Sequence, residues 1–397
     1  MTRPIKTLHC FSKLGTGGIE VWLMNLVRQR DPRLAFDFYL EIPGGLYEQE
    51  ALELGSHLYY STSKRTVLRK FGLGDRFSAL KELLRTNQYD VVHAHTKELA
   101  GRITTIAQKA GVPVRVAHCH NTKLARGKTG FLMNVRYARF RTVNRSQLLA
   151  SCTDIVACSN EAGRFMMGKY WDTDSRCRPL FCGISLDAFK KADTEITREQ
   201  VRQKYGIPQD AIVFGHAGSM GTLQKNHFFI LEIFRELFHR NENYWLFLAG
   251  DGILRPAIVA KAEELGIASR VLAPGNCQVP ELMTHGFDAH LLPSKFEGLP
   301  VVGMEAAATG LYTVCSDTIT RDYTEILSDR VTSISLQQPA GIWADYAEAA
   351  IRKRITPEQG IQIIKDSPFF IQSSMDHLIA LYRSFKIDED HRGDEKT

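Results

Sequence analysis

Short apolar runs alternate with stretches of helical period along almost the whole chain. Residues 7–11, 36–40, 90–95, 114–118 and 155–159 read as strands. Between them, Ile19, Trp22, Leu23, Leu26 and Val27 recur at i, i+3, i+4, i+7 and i+8, which draws one apolar stripe on a helix. Residues 99–110 and 131–150 carry the same period. The pattern then restarts, with strands expected at 211–218, 244–250, 270–273, 288–293 and 312–316. Helices are expected at 226–239, 253–265, 280–285 and 300–309. Strand and helix in strict alternation imply parallel sheets covered by helices on both faces, and two such series imply two doubly wound domains. The periodicity is weakest over 182–200, where Lys190, Lys191, Asp193 and Glu195 suggest an interdomain connection. Residues 370–385 read as a final amphipathic helix, and 387–397 as a charged, frayed tail.

Composition adds little to this picture beyond exclusions. With 44% apolar and 24% charged residues in 397, the chain can bury cores and is not mainly disordered. No apolar window is long enough to span a bilayer as a helix, and the apolar start at 9–11 is too short for a signal-peptide core. The eight cysteines are scattered without a CxxC pair, as in a reducing, cytoplasmic compartment. The formal charge of +6 is too small to imply nucleic-acid binding by itself.

Four segments could carry chemistry. Gly15-Thr16-Gly17-Gly18 joins the first strand to the first helix, where glycines admit a ligand close to the backbone and the helix start offers free amides to an anion. It has neither the GxGxxG spacing nor the P-loop lysine. His93 and His95 end one strand, and His118 and His120 end the next. Each pair shares a face. Zinc would need groups orienting each ring, and the sequence displays none, so a substrate contact for His120 is preferred and no metal is expected. Lys225, in Gln224-Lys225-Asn226-His227, stands before a helix start, where charge and dipole act together on phosphate. The richest segment runs from Ser294 to Ala306. Glu297 follows a strand on a loop with Gly298 and Leu299, Pro300 suits the first turn of the next helix, and Glu305 lies about one and a half turns in. Carboxylates that accept from sugar hydroxyls, beside amides that donate to phosphate, suit a hydroxyl-rich ligand with an anionic centre. Among apolar neighbours, Glu305 needs a partner.

Glu297 and Glu305, with Gly298-Leu299-Pro300 between them, resemble the E-x(7)-E signature of family 4 retaining glycosyltransferases. Gly17-Gly18 with Glu20, the strand Asp90-Val91-Val92-His93-Ala94-His95, Gly183-Ile184 with Asp187, and Ala249-Gly250-Asp251-Gly252 are similar to further segments of that family. The closest subgroup serves bacterial exopolysaccharide and capsule assembly. The resemblance implies an α/β protein of GT-B fold, with two facing Rossmann-like doubly wound domains and an interdomain cleft. Residues 1–185 would bind acceptor, 186–368 would bind the nucleotide-sugar donor, 369–386 would pack back on the first domain, and 387–397 would form the tail.

The implied activity is metal-independent, retaining transfer of a hexose from a nucleotide-sugar, most simply a UDP-sugar, to a saccharide or lipid-linked acceptor of a surface polysaccharide. No cofactor is implied, the nucleotide-sugar being substrate. By the resemblance Glu305 would bind ribose hydroxyls and Glu297 the donor sugar. Lys225 and the amides of Gly17 and Gly18 would meet the diphosphate, Gly298 and Leu299 would line the donor, and His120 would face the transferred sugar. Three departures stand out. Gly218-Ser219-Met220-Gly221 lacks the usual arginine, Cys182 replaces an asparagine, and Gly275-Asn276-Cys277-Gln278-Val279-Pro280 is a shortened segment. The missing arginine leaves one alternative, a catalytically weakened nucleotide-sugar-binding protein of the same fold, and the donor-site residues themselves leave another, a nucleotide-sugar epimerase.

Between Asn121 and Thr153 stand seven basic residues and no acidic one. Lys123, Arg126, Lys128, Arg136 and Arg139 are interleaved with Phe131, Leu132, Tyr137 and Phe140. Such a segment suits an anionic membrane surface, here the inner face of the plasma membrane, better than nucleic acid, for which no module surrounds it.

Overall fold

The structure is a computed structural model that describes residues 3–384 apart from 16, 62–76, 97, 98, 121 and 123–130. The chain forms two compact units. Unit 1 comprises Met1–Cys182 with Ile371–Thr397, and unit 2 comprises Gly183–Phe370.

In unit 1 the strands are β1 (Ile5–Phe11), β2 (Leu34–Leu40), β3 (Leu58–Tyr60), β4 (Val91–Ala94), β5 (Val114–Cys119), β6 (Asp154–Ala157) and β7 (Cys177–Pro179). They form one parallel sheet in the order β3-β2-β1-β4-β5-β6-β7. In unit 2, β8 (Ile212–Ala217), β9 (Tyr244–Ala249), β10 (Val271–Gly275), β11 (Ala289–Leu292), β12 (Thr313–Ser316) and β13 (Val331–Ile334) form a second parallel sheet, ordered β10-β9-β8-β11-β12-β13. Central strands such as β4, β6, β11 and β12 are buried at every residue, as helices on both faces require. The core of unit 2 gathers Phe214, Leu231, Phe234, Leu246, Leu291, Val314 and Trp343. Each such side chain contributes about 1.5–3 kcal/mol on burial.

Sequence periodicity misses β3, β7 and β13. All three are short edge strands, and an edge strand needs no continuous apolar run to hold its place. A second difference concerns 182–200, which is no linker. It folds as the helices Asp187–Glu195 and Arg198–Tyr205 within unit 2. Only Phe189 and Ala192 anchor the first, so its apolar period is faint, and a Thr197/Gln200 capping box starts the second.

The last helix, Ile371–Arg383, belongs to unit 1. It buries Met375, Leu378 and Tyr382 there, and its Ser374 hydroxyl donates to the Phe181 carbonyl at 2.6 Å. In each sheet the strand order reverses direction beside the first strand of the unit, between β1 and β4 and between β8 and β11. Loops beyond the carboxyl ends of strands at such a reversal are where doubly wound folds bind ligands.

Candidate active site

In unit 2 two loops meet beyond β8 and β11. The turn Leu223–Lys225 is stitched to the loop after β11 by three hydrogen bonds. The Lys295 amide donates to the Gln224 carbonyl at 2.8 Å, Gln224 Nε2 donates to the Phe296 carbonyl at 3.0 Å, and Asn226 Nδ2 donates to the Pro293 carbonyl at 3.1 Å. Asn226 takes the left-handed conformation, φ 61°, which asparagine tolerates and which turns the chain into the helix His227–Arg240. This stitching brings Lys225 Nζ to 2.7 Å from Glu297 Oε1, with both side chains largely buried at 18% and 8% exposure. Gln224 Nε2 donates to the other carboxylate oxygen at 3.2 Å. A lysine held this way is a preorganised positive charge.

Glu305 lies on the helix Val301–Ala308. Burial pushes its carboxyl up to about 7, and the Lys225 charge acts in the opposite direction. The fold therefore pairs Lys225 with Glu297 and sets Glu305 within reach of the Lys225 charge, with no direct ion pair between Lys225 and Glu305. Pro300 caps this helix and does not occupy its first turn, and the Val301 amide turns back to the Leu299 carbonyl at 3.0 Å, so it is not free for an anion. Gly298 and Leu299 sit on the intervening loop, Leu299 nearly buried.

The segment without the usual arginine is held by backbone. The Gly218 amide donates to the Ala249 carbonyl and the Met220 amide to the Asp251 carbonyl, both at 2.9 Å. Gly250 makes that approach possible. Its φ is 135°, and a Cβ there would lie 2.1 Å from the Gly218 carbonyl oxygen. Lys225 folds over Gly218, whose missing side chain leaves room for its methylenes, 3.2 Å from where a Cβ would stand. Buried imidazoles of His216, His227 and His290 lie behind, all kept neutral by burial with the Lys225 charge as a further cause. Sequence reasoning passed over them because each occupies an ordinary strand or helix-start position.

Unit 1 gathers its own set. His9 on β1 is level with His93 on β4, and the register continues to place His93 beside Val116 on β5. The same face therefore collects His9, His93, His95, His118 and His120. His95 Nε2 lies 3.0 Å from His9 Nδ1, and His95 Nδ1 lies 2.9 Å from His120 Nε2. His93 Nδ1 meets the Tyr382 hydroxyl at 2.7 Å, and His120 Nδ1 lies 3.6 Å from Cys182 Sγ. Trp22 packs edge-on against His118 with ring centroids 5.4 Å apart. Burial holds His9, His93, His95 and His118 neutral. His9, Tyr382 and Cys182 are the members sequence reasoning did not connect. Parallel register links the first, and only tertiary packing brings the other two.

The glycine loop begins the helix Gly18–Arg28, with Gly17 as its cap residue. Glu20 folds back over it, since a Cβ on Gly17 would lie 2.4 Å from Glu20 Oε2. Burial raises the Glu20 carboxyl. This helix start thus already faces one acidic group.

Of the expected membrane-contact residues, Lys123, Arg126 and Lys128 lie outside the described residues, as does the side chain of Arg136. Arg139 is exposed on the helix Phe131–Ser151. Arg141 and Arg145 instead turn to the Phe165 and Met166 carbonyls, at 2.6 and 3.1 Å, near the end of a neighbouring helix. Among the described residues no helix is long and apolar enough to cross a membrane.

Comparison with known proteins gives two family matches. Residues 16–188 match the model described as Glycosyltransferase Family 4, and residues 197–365 match Glycosyl transferases group 1. The EpsF protein of Bacillus subtilis strain 168 is 34% identical over 97% of this chain and 98% of its own length. The UDP-Gal:alpha-D-GlcNAc-diphosphoundecaprenol alpha-1,3-galactosyltransferase of Escherichia coli is 26% identical over 60% of each chain. Among solved structures, Anabaena HepE in complex with UDP-glucose superposes with a TM-score of 0.73 at 15% identity, over 94% of this chain and 98% of that one.

Proposed function

We propose a specific activity from one premise: the chain belongs to the family 4 glycosyltransferases and has their GT-B type of fold. It transfers a hexose from a UDP-sugar, with retention, to a saccharide or lipid-linked acceptor of a bacterial surface polysaccharide. The observation that carries this reading is the buried Lys225–Glu297 pair beside Glu305 at the strand-order reversal of unit 2. The E. coli relative, named for a UDP-sugar donor and a lipid-diphosphate acceptor, supports both substrate classes.

As the bond from the sugar's anomeric carbon to the phosphate oxygen breaks, negative charge grows on the diphosphate. Lys225 answers that charge without reorganising, so no metal or cofactor is needed there. The acceptor oxygen bonds to the same face of the anomeric carbon, and its proton passes to the departing phosphate. Glu305 accepts from the ribose hydroxyls and Glu297 from the donor sugar, with Gly298 and Leu299 beside them. Unit 1 is assigned the acceptor; within it Gly17 and Gly18, beyond the carboxyl end of β1, are assigned to the diphosphate, and His120, beyond that of β5, to the transferred sugar.

The test is transfer from a UDP-sugar panel to saccharide and diphosphoundecaprenol-linked acceptors, read by mass spectrometry, with and without EDTA. Lys225→Ala and Glu305→Ala should each lower transfer by about 10²–10³-fold, and EDTA should leave it unchanged. Full turnover in both variants overturns the assigned roles. A lipid-linked acceptor also calls for attachment to the inner face of the plasma membrane through the basic stretch that includes Arg139. The chain should float with anionic liposomes at low salt, and failure to float there removes the membrane assignment.

A further inference from the structure

We propose that unit 1 contains a binding site for a borderline divalent transition-metal ion, of the zinc or cobalt class, formed by one ring nitrogen each of His95, His118 and His120. Ligand atoms of these three residues all lie within 4.8 Å of one another. His95 Nδ1 and His120 Nε2 face each other at 2.9 Å. Two imidazole nitrogens on a tetrahedral zinc ion, each about 2.0–2.1 Å from it, stand about 3.3 Å apart, so a small opening of this pair admits the ion.

A metal-binding histidine is normally oriented through its other ring nitrogen, and both of these are. His95 Nε2 is held by His9 at 3.0 Å, and His120 Nδ1 lies 3.6 Å from the Cys182 thiol. These are the orienting groups that the sequence does not display. The third ring, His118, is 1% exposed, and neither of its nitrogens has a partner in good hydrogen-bond geometry among the described residues, with only the Leu180 backbone close enough to favour its protonated form. Buried polar atoms are rarely left so, and an ion is one of the few things that satisfies them. Neutral imidazole suits zinc, cobalt, nickel and copper and gives no preference to magnesium or calcium.

A second triad, His9, His93 and His95, is equally compact but closed from solvent at every member. The outer triad is the one with an entry path, because His120 is only partly buried. His9 then serves as the orienting neighbour of His95. Three protein ligands leave one coordination position for water or an oxygen ligand. This is the geometry of an open site.

The experiment uses the full chain, stripped with EDTA, exchanged into metal-free buffer and titrated with Co²⁺. Its readout is visible absorption and bound metal, so its outcome is independent of whether sugar transfer occurs. One equivalent should bind with the bands of a four-coordinate nitrogen site and be displaced by Zn²⁺. His118→Gln and His95→Gln should weaken binding by at least about tenfold, while His290→Gln, in the imidazole group of unit 2, should leave it unchanged. No saturable band in the wild type overturns the site, and so does uptake that both His118→Gln and His95→Gln leave intact. Should those variants fail to fold, X-ray absorption of the zinc-loaded wild type decides. At least three imidazoles around the ion sustain the site, and fewer overturn it.

Discussion

The sharpest consequence of the unit 2 geometry concerns Glu305. Its carboxyl is pushed up to about 7 by burial, from an ordinary value of 4.5. The native state therefore keeps a proton that the unfolded chain has already released between those two values. Over that window the unfolded state binds fewer protons, so stability falls as pH rises. The loss begins near pH 4.5 and is complete once pH passes the folded value near 7. A difference of 7 − 4.5 = 2.5 units, at 1.36 kcal/mol each, sets the penalty at about 3 kcal/mol.

Glu305→Gln keeps the shape and removes the charge. At pH 5 it should match the wild type. At pH 8.5 it should be more stable by up to about 3 kcal/mol, which for a unit of this size raises the melting temperature by roughly 6–12 °C. The assay is differential scanning calorimetry of both proteins, without nucleotide, from pH 5 to 8.5, following the transition that responds to the substitution. A difference between the two that stays flat across this range would refute the reasoning, because it would mean that Glu305 ionises as freely in the fold as in water. Above pH 7, where the wild type carries a carboxylate, the same variant should bind UDP less well, because in the role proposed for Glu305 an amide does not replace a carboxylate that accepts from ribose hydroxyls. More stability with less binding is the signature of a residue kept for function.

Further outcomes follow from other contacts. Asp288 gathers Arg198 Nη2 at 2.6 Å, the fully buried Arg202 at 3.0 Å and Arg354 at 3.3 Å, so Asp288→Asn leaves the buried Arg202 without its carboxylate and should cost unit 2 about 3–5 kcal/mol by denaturant unfolding. Gly250→Ala places a methyl against the Gly218 carbonyl at a φ of 135°, and should destabilise by more than about 2 kcal/mol and displace the loop under Lys225, read as a higher KM for donor. Tyr382→Phe removes the 2.7 Å contact to His93 and should lower the melting temperature of unit 1 by the equivalent of about 1 kcal/mol, since a buried ring nitrogen loses its partner.

The alternation of apolar runs with helical periods was enough to establish two parallel α/β series, because a strand buried on both faces must be apolar throughout. The E-x(7)-E spacing was enough to place Glu297 on a loop and Glu305 on the helix that follows it, because that loop and helix are consecutive in the chain. What sequence could not contain was partnership across distance. That Lys225 meets Glu297 depends on three hydrogen bonds between loops about 70 residues apart. The helices at 187–205 were legible only through a capping box and four buried side chains, one of them the charged Arg202. Most of all, the histidines looked in sequence like two isolated pairs without supporting groups. Parallel register added His9, the returning last helix added Tyr382, and the end of unit 1 added Cys182. Local periodicity reports which residues must be buried. Only the packing of strands and helices decides which buried polar groups face one another, and that is where the chemistry of this protein is set.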